Sequence, residues 1–250
     1  IDEVIRSMIS KAAHLHFAAC EKYVQNVRSL GEENWRIHNT GTLSADSMRL
    51  APRIERRKLF QEIGLDIEKK TILMTYHPVT QETEISHEMQ IKNLFKALQS
   101  YDFQTLITAP NADYQRSIIQ SVIDKETFNN DNMILVRSLG ANRYYNLIPQ
   151  CEFVIGNSSS GIIAAPYFKI PTINIGNRQS GRLRHSSIID VDYSLEAISG
   201  GIRQALSSEF RSSLANMNYM FGDGHAAERM VTIIEKTKIN QRLIAKRRVF

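Results

Sequence analysis

The sequence predicts an α/β fold of the Rossmann-like, doubly wound type, with a parallel sheet between layers of helices. From about residue 58 onward, short apolar runs typical of buried strands alternate with helical patterns, and this alternation is typical of parallel sheets. Several predicted strands end in polar residues, namely His77, Asn111, Asn157 with the serines that follow it, and Arg178. One strand–turn–helix unit also carries three serines at its turn, where a helix begins.

The first 50 residues predict a smaller piece of structure that precedes the main sheet. Hydrophobic spacing indicates, in order, a helix to about residue 15, a strand over 16–20, a helix over 21–30, and a strand and turn over 35–43. The polar segment 45–58, which contains Pro52, is predicted to be a linker.

The remaining elements follow the strand–helix rhythm of a doubly wound sheet. Predicted strands cover 71–76, 105–108, 133–136, 153–155, 172–175 and 187–190. Predicted helices cover 58–63, 84–100, 112–123, 143–148, the run after Gly161, 194–207, 209–216 and 225–237. Because the carboxyl ends of parallel strands lie along one edge of a sheet, the polar strand ends are expected to converge there.

Composition limits the classes of function. The chain has 250 residues, of which 42% are hydrophobic and 23% charged, as is usual for globular domains. Its net charge of +5 suits an anionic ligand. The sequence has no basic stripe interleaved with aromatic residues, so a nucleic-acid partner is not predicted. Cys20 and Cys151 are predicted to be core residues. No apolar run has the length of a membrane span and no signal peptide opens the sequence, so we expect a cytoplasmic protein with no membrane partner.

The stretch 154–182 carries the strongest functional signal. A buried strand ends at a turn of three serines, an apolar helix follows, and the next strand ends shortly before Arg178. Backbone N–H groups at a helix start attract anions, and arginine offers a fork of donors to a phosphate. The pattern therefore predicts an anion site built from Arg178 and the turn residues Ser158, Ser159, Ser160 and Gly161. The alternative is that the serines only cap the helix.

The remaining candidate residues could also have purely structural roles. His77 could simply end a strand at the surface, and Asn111 could form only an Asx turn after a proline. Arg178 could pair with a nearby carboxylate such as Asp190. Their common position on one edge of the sheet favours the functional interpretation.

Two further groups of residues are given structural interpretations. His14 and His16 share a face only if they lie in a strand, and the sequence offers no further ligands, so no metal site is predicted. These histidines and the apolar positions of the first helix are candidates for a subunit interface. Asp223 and His225 begin the last long helix, where capping is the expected role.

Five motifs together resemble the UDP-N-acetylglucosamine 2-epimerase family, and within it the hydrolysing branch, which makes N-acetylmannosamine and UDP for sialic acid synthesis. They are HPVT at 77–80, PNAD at 110–113, GNSSSGI at 156–162, NIGNRQSGR at 174–182 and GDGHAAER at 222–229. The resemblance implies a two-domain fold of the GT-B type. Residues 1–50 would be a remnant of the first domain, 51–235 the UDP-binding second domain, and 236–250 a basic tail with a frayed, solvated end.

The resemblance also implies roles for individual residues. His77 would lie near the sugar–phosphate junction as the catalytic residue of this half, and Asn111 would contact the nucleotide or sugar. Ser158 to Gly161 would hold the diphosphate, and Arg178 would neutralise it. Ala164 stands where the family usually has a glutamate that accepts hydrogen bonds from the ribose, and its loss is expected to cost about 1–3 kcal/mol of UDP binding. No cofactor or metal is expected, and the protein is expected to be a homodimer that binds a UDP-sugar.

Several functions remain open on these motifs. In the family the carboxylates that abstract the proton lie upstream of the segment matching Ile1, so this segment alone is expected to bind UDP weakly without turnover. The substrate could instead be a UDP-linked diacetamido trideoxy sugar. The motifs are also compatible with a GT-B glycosyltransferase or with a non-catalytic nucleotide-sugar binding module.

Overall fold

The structure is a computed structural model that describes residues 2–79, 85–111, 115–128, 130–247 and 249. Thr80 of the HPVT motif, and Ala112 and Asp113 of the PNAD motif, lie outside the described residues. The chain divides into two compact units. The smaller unit contains residues 1–50 and 219–250, and the larger unit contains residues 51–218.

The elements follow the predicted order, with shifts at their ends. The strands are β1 (His16–Ala18), β2 (Ile37–Asn39), β3 (Thr71–Thr75), β4 (Gln104–Thr108), β5 (Met133–Val136), β6 (Cys151–Gly156), β7 (Thr172–Ile175) and β8 (Ile188–Val191). The helices are α1 (Asp2–Ala12), α2 (Glu21–Ser29), α3 (Leu43–Leu50), α4 (Arg56–Ile63), α5 (His87–Leu98), α6 (Arg116–Thr127), α7 (Gly140–Leu147), α8 (Ser159–Tyr167), α9 (Leu195–Leu206), α10 (Ser208–Ser213), α11 (Ala226–Lys236) and α12 (Gln241–Ile244). Short 3₁₀ turns cover Asn34–Arg36, Ile148–Gln150 and Leu214–Asn216.

The larger unit is a doubly wound parallel sheet, which confirms the predicted fold class. Its strand order is β5-β4-β3-β6-β7-β8, and every neighbouring pair is parallel. The chain enters in the middle at β3, builds outward through β4 and β5, and then returns to the centre for β6. The order therefore reverses between β3 and β6, and in open α/β sheets ligands bind at such a switch point.

Helices cover the central strands, so both faces of these strands are buried. Ile72 and Met74 of β3 belong to a core that also includes residues of α5, α6 and α9. Leu73 lies between them in sequence and is equally buried, on the opposite face of the sheet. A continuous apolar run is what a parallel strand needs when both of its faces are covered.

The predicted linker over 45–58 is wrong for most of its length. Helix α3 reaches Leu50, and α4 begins at Arg56, where the Glu55 carboxylate caps its first N–H groups. Asp46 is buried in α3, and its carboxylate accepts hydrogen bonds from the N–H groups at the start of α11, at 2.9 and 2.8 Å. The segment looked like a linker because its polar residues have partners that are far away in sequence.

The described residues near the end of the chain make specific contacts, although that end was expected to be frayed. The Arg36 guanidinium is fully buried and donates to the carbonyl groups of Arg242 and Leu243, at 2.8 and 2.9 Å. Lys246 donates from Nζ to the carbonyl of Ala13 at 2.6 Å. These contacts place the end of the chain in the smaller unit. Residues 219–235 also belong to that unit, which differs from the boundary drawn at residue 235 from the sequence.

Glu32 lies at the centre of a charged cluster in the smaller unit. Its carboxylate is 2.6 Å from Lys11 Nζ, 2.8 Å from Lys246 Nζ and 3.0 Å from His16 Nε2. Burial raises the pKa of Glu32, but hydrogen bonds from these three groups outweigh it and lower the pKa to about 2. Burial lowers the pKa of His16, and its hydrogen bond to Glu32 opposes that shift. His16 is therefore committed within the unit and is not available for a subunit interface, whereas His14 is exposed.

Three further findings concern functions that the sequence left open. Cys20 and Cys151 are free and buried, as predicted, and burial raises the pKa of the Cys151 thiol, which makes it unreactive. No described helix is long and apolar enough to cross a lipid bilayer. The described residues also contain no group of three or more histidine, cysteine, aspartate or glutamate side chains arranged to hold a metal ion.

Candidate active site

The candidate site begins where β3 and β6 end side by side. Gly156 has φ of 132°, and a Cβ atom there would lie 2.0 Å from the carbonyl oxygen of Thr75. Only glycine allows this approach. The next N–H group, that of Asn157, donates to the same carbonyl at 3.2 Å, so the two strand ends are joined at the switch point of the sheet.

Asn157 connects three strand ends. Its fully buried side chain accepts the N–H of His77 at Oδ1 and donates from Nδ2 to the carbonyl of His77, both at 2.8 Å. Its own backbone carbonyl accepts hydrogen bonds from Arg178 Nη1 at 3.2 Å and from Gln179 Nε2 at 2.8 Å. The segments that follow β3, β6 and β7 therefore meet at one residue.

The His77 ring is buried and held by the segment that follows β4. Its Nδ1 atom accepts a hydrogen bond from the backbone N–H of Asn111 at 3.1 Å. An Nδ1 atom that accepts carries no proton, so the neutral ring has its proton on Nε2. The contact comes from the main chain of Asn111, whose side chain is exposed.

The serine turn lies at the start of α8. Ser158 is the N-cap, and its Oγ accepts the N–H of Ser160 at 3.4 Å. The Oγ atoms of Ser158 and Ser160 are 3.0 Å apart, and the hydroxyl of Tyr144 donates to Ser160 Oγ at 2.6 Å. Burial raises the pKa of Tyr144 to about 12, so the phenol remains a donor at neutral pH. Ser159 makes no side-chain hydrogen bond to another residue in the described part of the chain. The serines therefore cap the helix, as the alternative interpretation expected, and this capping does not involve the Ser159 side chain.

Gly161 and Ala164 are placed by packing. A Cβ atom at Gly161 would lie 2.8 Å from the Thr172 methyl group, and Thr172 Oγ1 donates to the Gly161 carbonyl at 2.9 Å. Gly161 therefore lets α8 lie close against β7. Ala164 is 4% exposed, and its methyl group offers no hydrogen bond to a ligand.

Arg178 follows a tight turn at the end of β7. Gly176 has φ of 72°, and a Cβ atom there would lie 2.1 Å from the Tyr193 ring. This turn carries Arg178 back over the end of β6, to Asn157. Asp190, the suggested structural partner of Arg178, is paired with Arg184 at 3.0 Å.

The structure thus brings His77, the main chain of Asn111, the serine turn and Arg178 to one edge of the sheet. Sequence reasoning placed Asn157 among the polar strand ends but gave it no role, and it omitted Gln179 and Tyr144 from the site. Nothing in the helical pattern around Tyr144 indicates that its hydroxyl meets a serine 16 residues later.

The arrangement is rich in hydrogen-bond donors. It combines the N-terminus of α8, serine hydroxyl groups, a guanidinium group and an imidazole with its proton on Nε2. Donors of this kind, at a helix start, suit a phosphate or diphosphate. The larger unit is thus a Rossmann-like domain with these groups at its switch point, the place where doubly wound sheets commonly bind ligands.

Comparison with known proteins assigns the chain to a family. A family model described as UDP-N-acetylglucosamine 2-epimerase matches residues 1–235. The chain belongs to this family.

Individual relatives support the assignment. The chain is 30% identical to UDP-N,N'-diacetylbacillosamine 2-epimerase (hydrolyzing) of Legionella pneumophila over 98% of this chain and 64% of the relative. It is 35% identical to GDP/UDP-N,N'-diacetylbacillosamine 2-epimerase (hydrolyzing) of Campylobacter jejuni over 85% of this chain and 55% of the relative. It therefore spans less than two thirds of the length of either relative.

A solved structure shares the fold. The S. aureus MnaA–UDP co-structure matches 99% of this chain and 67% of its own chain, with a TM-score of 0.74 at 20% sequence identity.

Proposed function

We propose that this chain supplies the UDP-binding part of a hydrolysing UDP-sugar 2-epimerase. Membership in the family supports the reaction class. The observation that carries the proposal is the convergence of His77, Arg178 and the serine turn on Asn157, at the switch point of the sheet. These groups would bind the diphosphate of a UDP-sugar and stabilise it as a leaving group.

The proposed reaction has two steps. A base removes the proton from C2 of the sugar while the C1–O bond breaks, and UDP leaves with the bonding electrons. Water then adds across the resulting C1–C2 double bond, with hydroxyl at C1 and hydrogen at C2 on the opposite face, which gives the free 2-epimer. None of the described residues named in this site carries a carboxylate, so the base would be supplied by the upstream residues that the family resemblance implies.

The geometry of the site supports a role for each group. The N-terminus of α8 and the hydroxyl groups of Ser158, Ser159 and Ser160 would hold the phosphates. Arg178 would neutralise the negative charge that grows as UDP leaves, and the Nε2 proton of His77 would be donated towards the departing oxygen. Asn111 would hold the His77 ring through its main chain and contact the substrate through its exposed side chain.

Two substrates are proposed. The first is UDP-N-acetylglucosamine, which would give N-acetylmannosamine for sialic acid or related synthesis, and the family description supports it. The second is UDP-N,N'-diacetylbacillosamine, which is supported by the names of two relatives. Both are UDP-linked 2-acetamido sugars, so the same UDP contacts serve either.

Product analysis tests these proposals. Two samples are compared: the chain alone, and a fusion in which the upstream residues of the Legionella relative precede it. Each sample is incubated with each nucleotide sugar in D₂O, and the products are followed by NMR. The expected result is UDP and a free 2-epimer with deuterium at C2 from the fusion, and UDP binding without turnover from the chain alone. Turnover by the chain alone would contradict that second expectation.

Different outcomes would favour different functions. Sugar transfer to an added acceptor would support a glycosyltransferase, and binding without turnover in the fusion would support a binding module.

Arg178→Ala is expected to weaken UDP binding about tenfold or more in calorimetry, as expected for a hydrogen bond to a charged group. Arg203→Ala, on the exposed surface of α9, is the matched control. If the two variants had equal affinities for UDP, Arg178 would not contribute to UDP binding.

We further propose that the protein is a cytoplasmic homodimer. On α1, Val4, Met8 and Ile9 are each more than 60% exposed, and such an apolar face commonly packs against a partner. Light scattering of the purified protein tests the dimer, and a monomer at micromolar concentration would contradict it.

A further inference from the structure

Three hydroxyl groups form a continuous chain at the start of α8. The Tyr144 hydroxyl donates to Ser160 Oγ at 2.6 Å, and Ser160 Oγ lies 3.0 Å from Ser158 Oγ. Ser158 Oγ also accepts the backbone N–H of Ser160 at 3.4 Å. This chain of hydroxyl groups runs from Tyr144 in α7 to Ser158, the N-cap residue of α8.

The direction of this chain decides what Ser158 offers to a ligand. A hydroxyl group has one hydrogen and two acceptor positions. The Tyr144 hydrogen occupies one of the two acceptor positions of Ser160 Oγ and polarises that hydroxyl group. This favours the direction in which Ser160 gives its hydrogen to Ser158, whose oxygen then accepts two hydrogen bonds. The remaining Ser158 hydrogen must point away from the chain, as a donor. In the opposite direction Ser158 would give its hydrogen to Ser160 and would present lone pairs instead.

We propose that Tyr144 is a positioning residue that acts through Ser160 and makes the Ser158 hydroxyl a donor to the diphosphate of the nucleotide sugar. This inference rests on the proposed function, and it adds to it the residue that orients the serine turn. An anion in front of the turn favours the same direction, so ligand and tyrosine cooperate. Hydrogen bonds in such a chain also polarise one another, which strengthens the last donor.

The state of the phenol agrees with this role. Burial raises the pKa of Tyr144 to about 12, so it retains its proton throughout the pH range in which enzymes of this kind are assayed. Neither serine hydroxyl ionises in that range, so the three linked hydroxyl groups are uncharged and interact only through hydrogen bonds.

The first test removes only the tyrosine hydroxyl. Tyr144→Phe keeps the ring and is compared with Tyr145→Phe, its neighbour in α7, as the matched control. In calorimetry with UDP we expect Tyr144→Phe to lose about two- to tenfold in affinity, the range of one hydrogen bond. Tyr145→Phe is expected to bind like the wild type.

A second ligand separates positioning from a general loss of structure. Uridine has the base and the ribose but no phosphate, and its affinity, measured by ligand-observed NMR, is expected to be unchanged in Tyr144→Phe. Equal losses for UDP and uridine would overturn the proposal, because they would indicate a change in the whole pocket.

A double-mutant cycle tests the route through Ser160. Ser160→Ala breaks the chain, so adding Tyr144→Phe to it is expected to cause no further loss of UDP affinity. Losses that simply add would overturn the proposal. If the wild type bound no UDP, both this inference and the proposed function would fail. If the wild type and Tyr144→Phe bound UDP equally, only this inference would fail.

Discussion

Asn157 shows how much of the site depends on one buried side chain. Its amide group satisfies both the N–H and the carbonyl of His77, and its own carbonyl receives Arg178 and Gln179. A side chain with one donor and one acceptor group at a fixed separation is needed to bridge a residue's main chain in both directions. Asparagine has both groups, on a side chain short enough to be held between adjacent strand ends.

We expect Asn157→Ala to lower the free energy of unfolding by about 2–4 kcal/mol, because two main-chain groups of His77 would remain buried without partners. Urea denaturation provides the measurement. The control is Asn177→Ala, an exposed asparagine at the next strand end, which we expect to change the value by less than about 0.5 kcal/mol. Comparable losses in the two variants would mean that the bridge to His77 contributes little.

At the scale of elements, the decisive feature is the close approach of β3 and β6. These central strands are parallel, and the chain continues from β3 to β4 on one side and from β6 to β7 on the other, which makes the ends of β3 and β6 the switch point of the sheet. Gly156 lets the backbone of β6 turn directly over the carbonyl of Thr75. The backbone turn at Gly156 therefore sets the position of the serines relative to His77.

Gly156→Ala is expected to destabilise the protein by about 3 kcal/mol or more, since its Cβ would overlap a main-chain carbonyl. Gly181→Ala is a matched control, because Gly181 has φ of 79° but nothing lies within 4 Å of its added Cβ. That variant is expected to lose only about 1 kcal/mol from backbone strain. Thermal and urea unfolding of both variants test the difference, and equal losses would show that the contact with Thr75 can relax.

At the scale of the whole molecule, the two units differ in how they are built. The core of the larger unit runs from Ile72 to Phe210, entirely inside residues 51–218. The smaller unit joins the first 50 residues to the last 32, from Tyr219 to Phe250, and a buried charged cluster is one of the features that hold it together.

Residues 51–218 expressed alone are expected to fold, because their sheet and core are complete within that range. Circular dichroism and a single cooperative urea transition would confirm this expectation. A non-cooperative transition with exposed hydrophobic surface would contradict it.

The smaller unit is expected to be acid-sensitive through Glu32. Its folded pKa of about 2 lies below the ordinary value of 4.5, so its contribution is fully present above pH 4.5 and is lost as the pH falls towards 2. That contribution amounts to about 3 kcal/mol. Urea denaturation at pH 6 and pH 3 is expected to show a loss of about 2 kcal/mol from this source, because pH 3 still lies above the folded pKa. Glu32→Gln is expected to have a lower free energy of unfolding than the wild type at pH 6, and a smaller decrease in that free energy between pH 6 and pH 3. If the variant showed the same decrease as the wild type, Glu32 would not be the source of the acid sensitivity.

The sequence by itself determined the alternation of strands and helices, the burial of the central strands and the convergence of His77, Asn111 and Arg178 on one edge. These features depend on local hydrophobic patterns and on the rule that parallel strands end on the same side. Only the tertiary structure decided that Asp46 caps α11, that Lys246 reaches Glu32, that Asn157 bridges the main chain of His77, and that Tyr144 belongs to the site. Each of those contacts joins residues that are distant in sequence or on separate elements, and a hydrogen bond of that kind leaves no periodic signal in the chain.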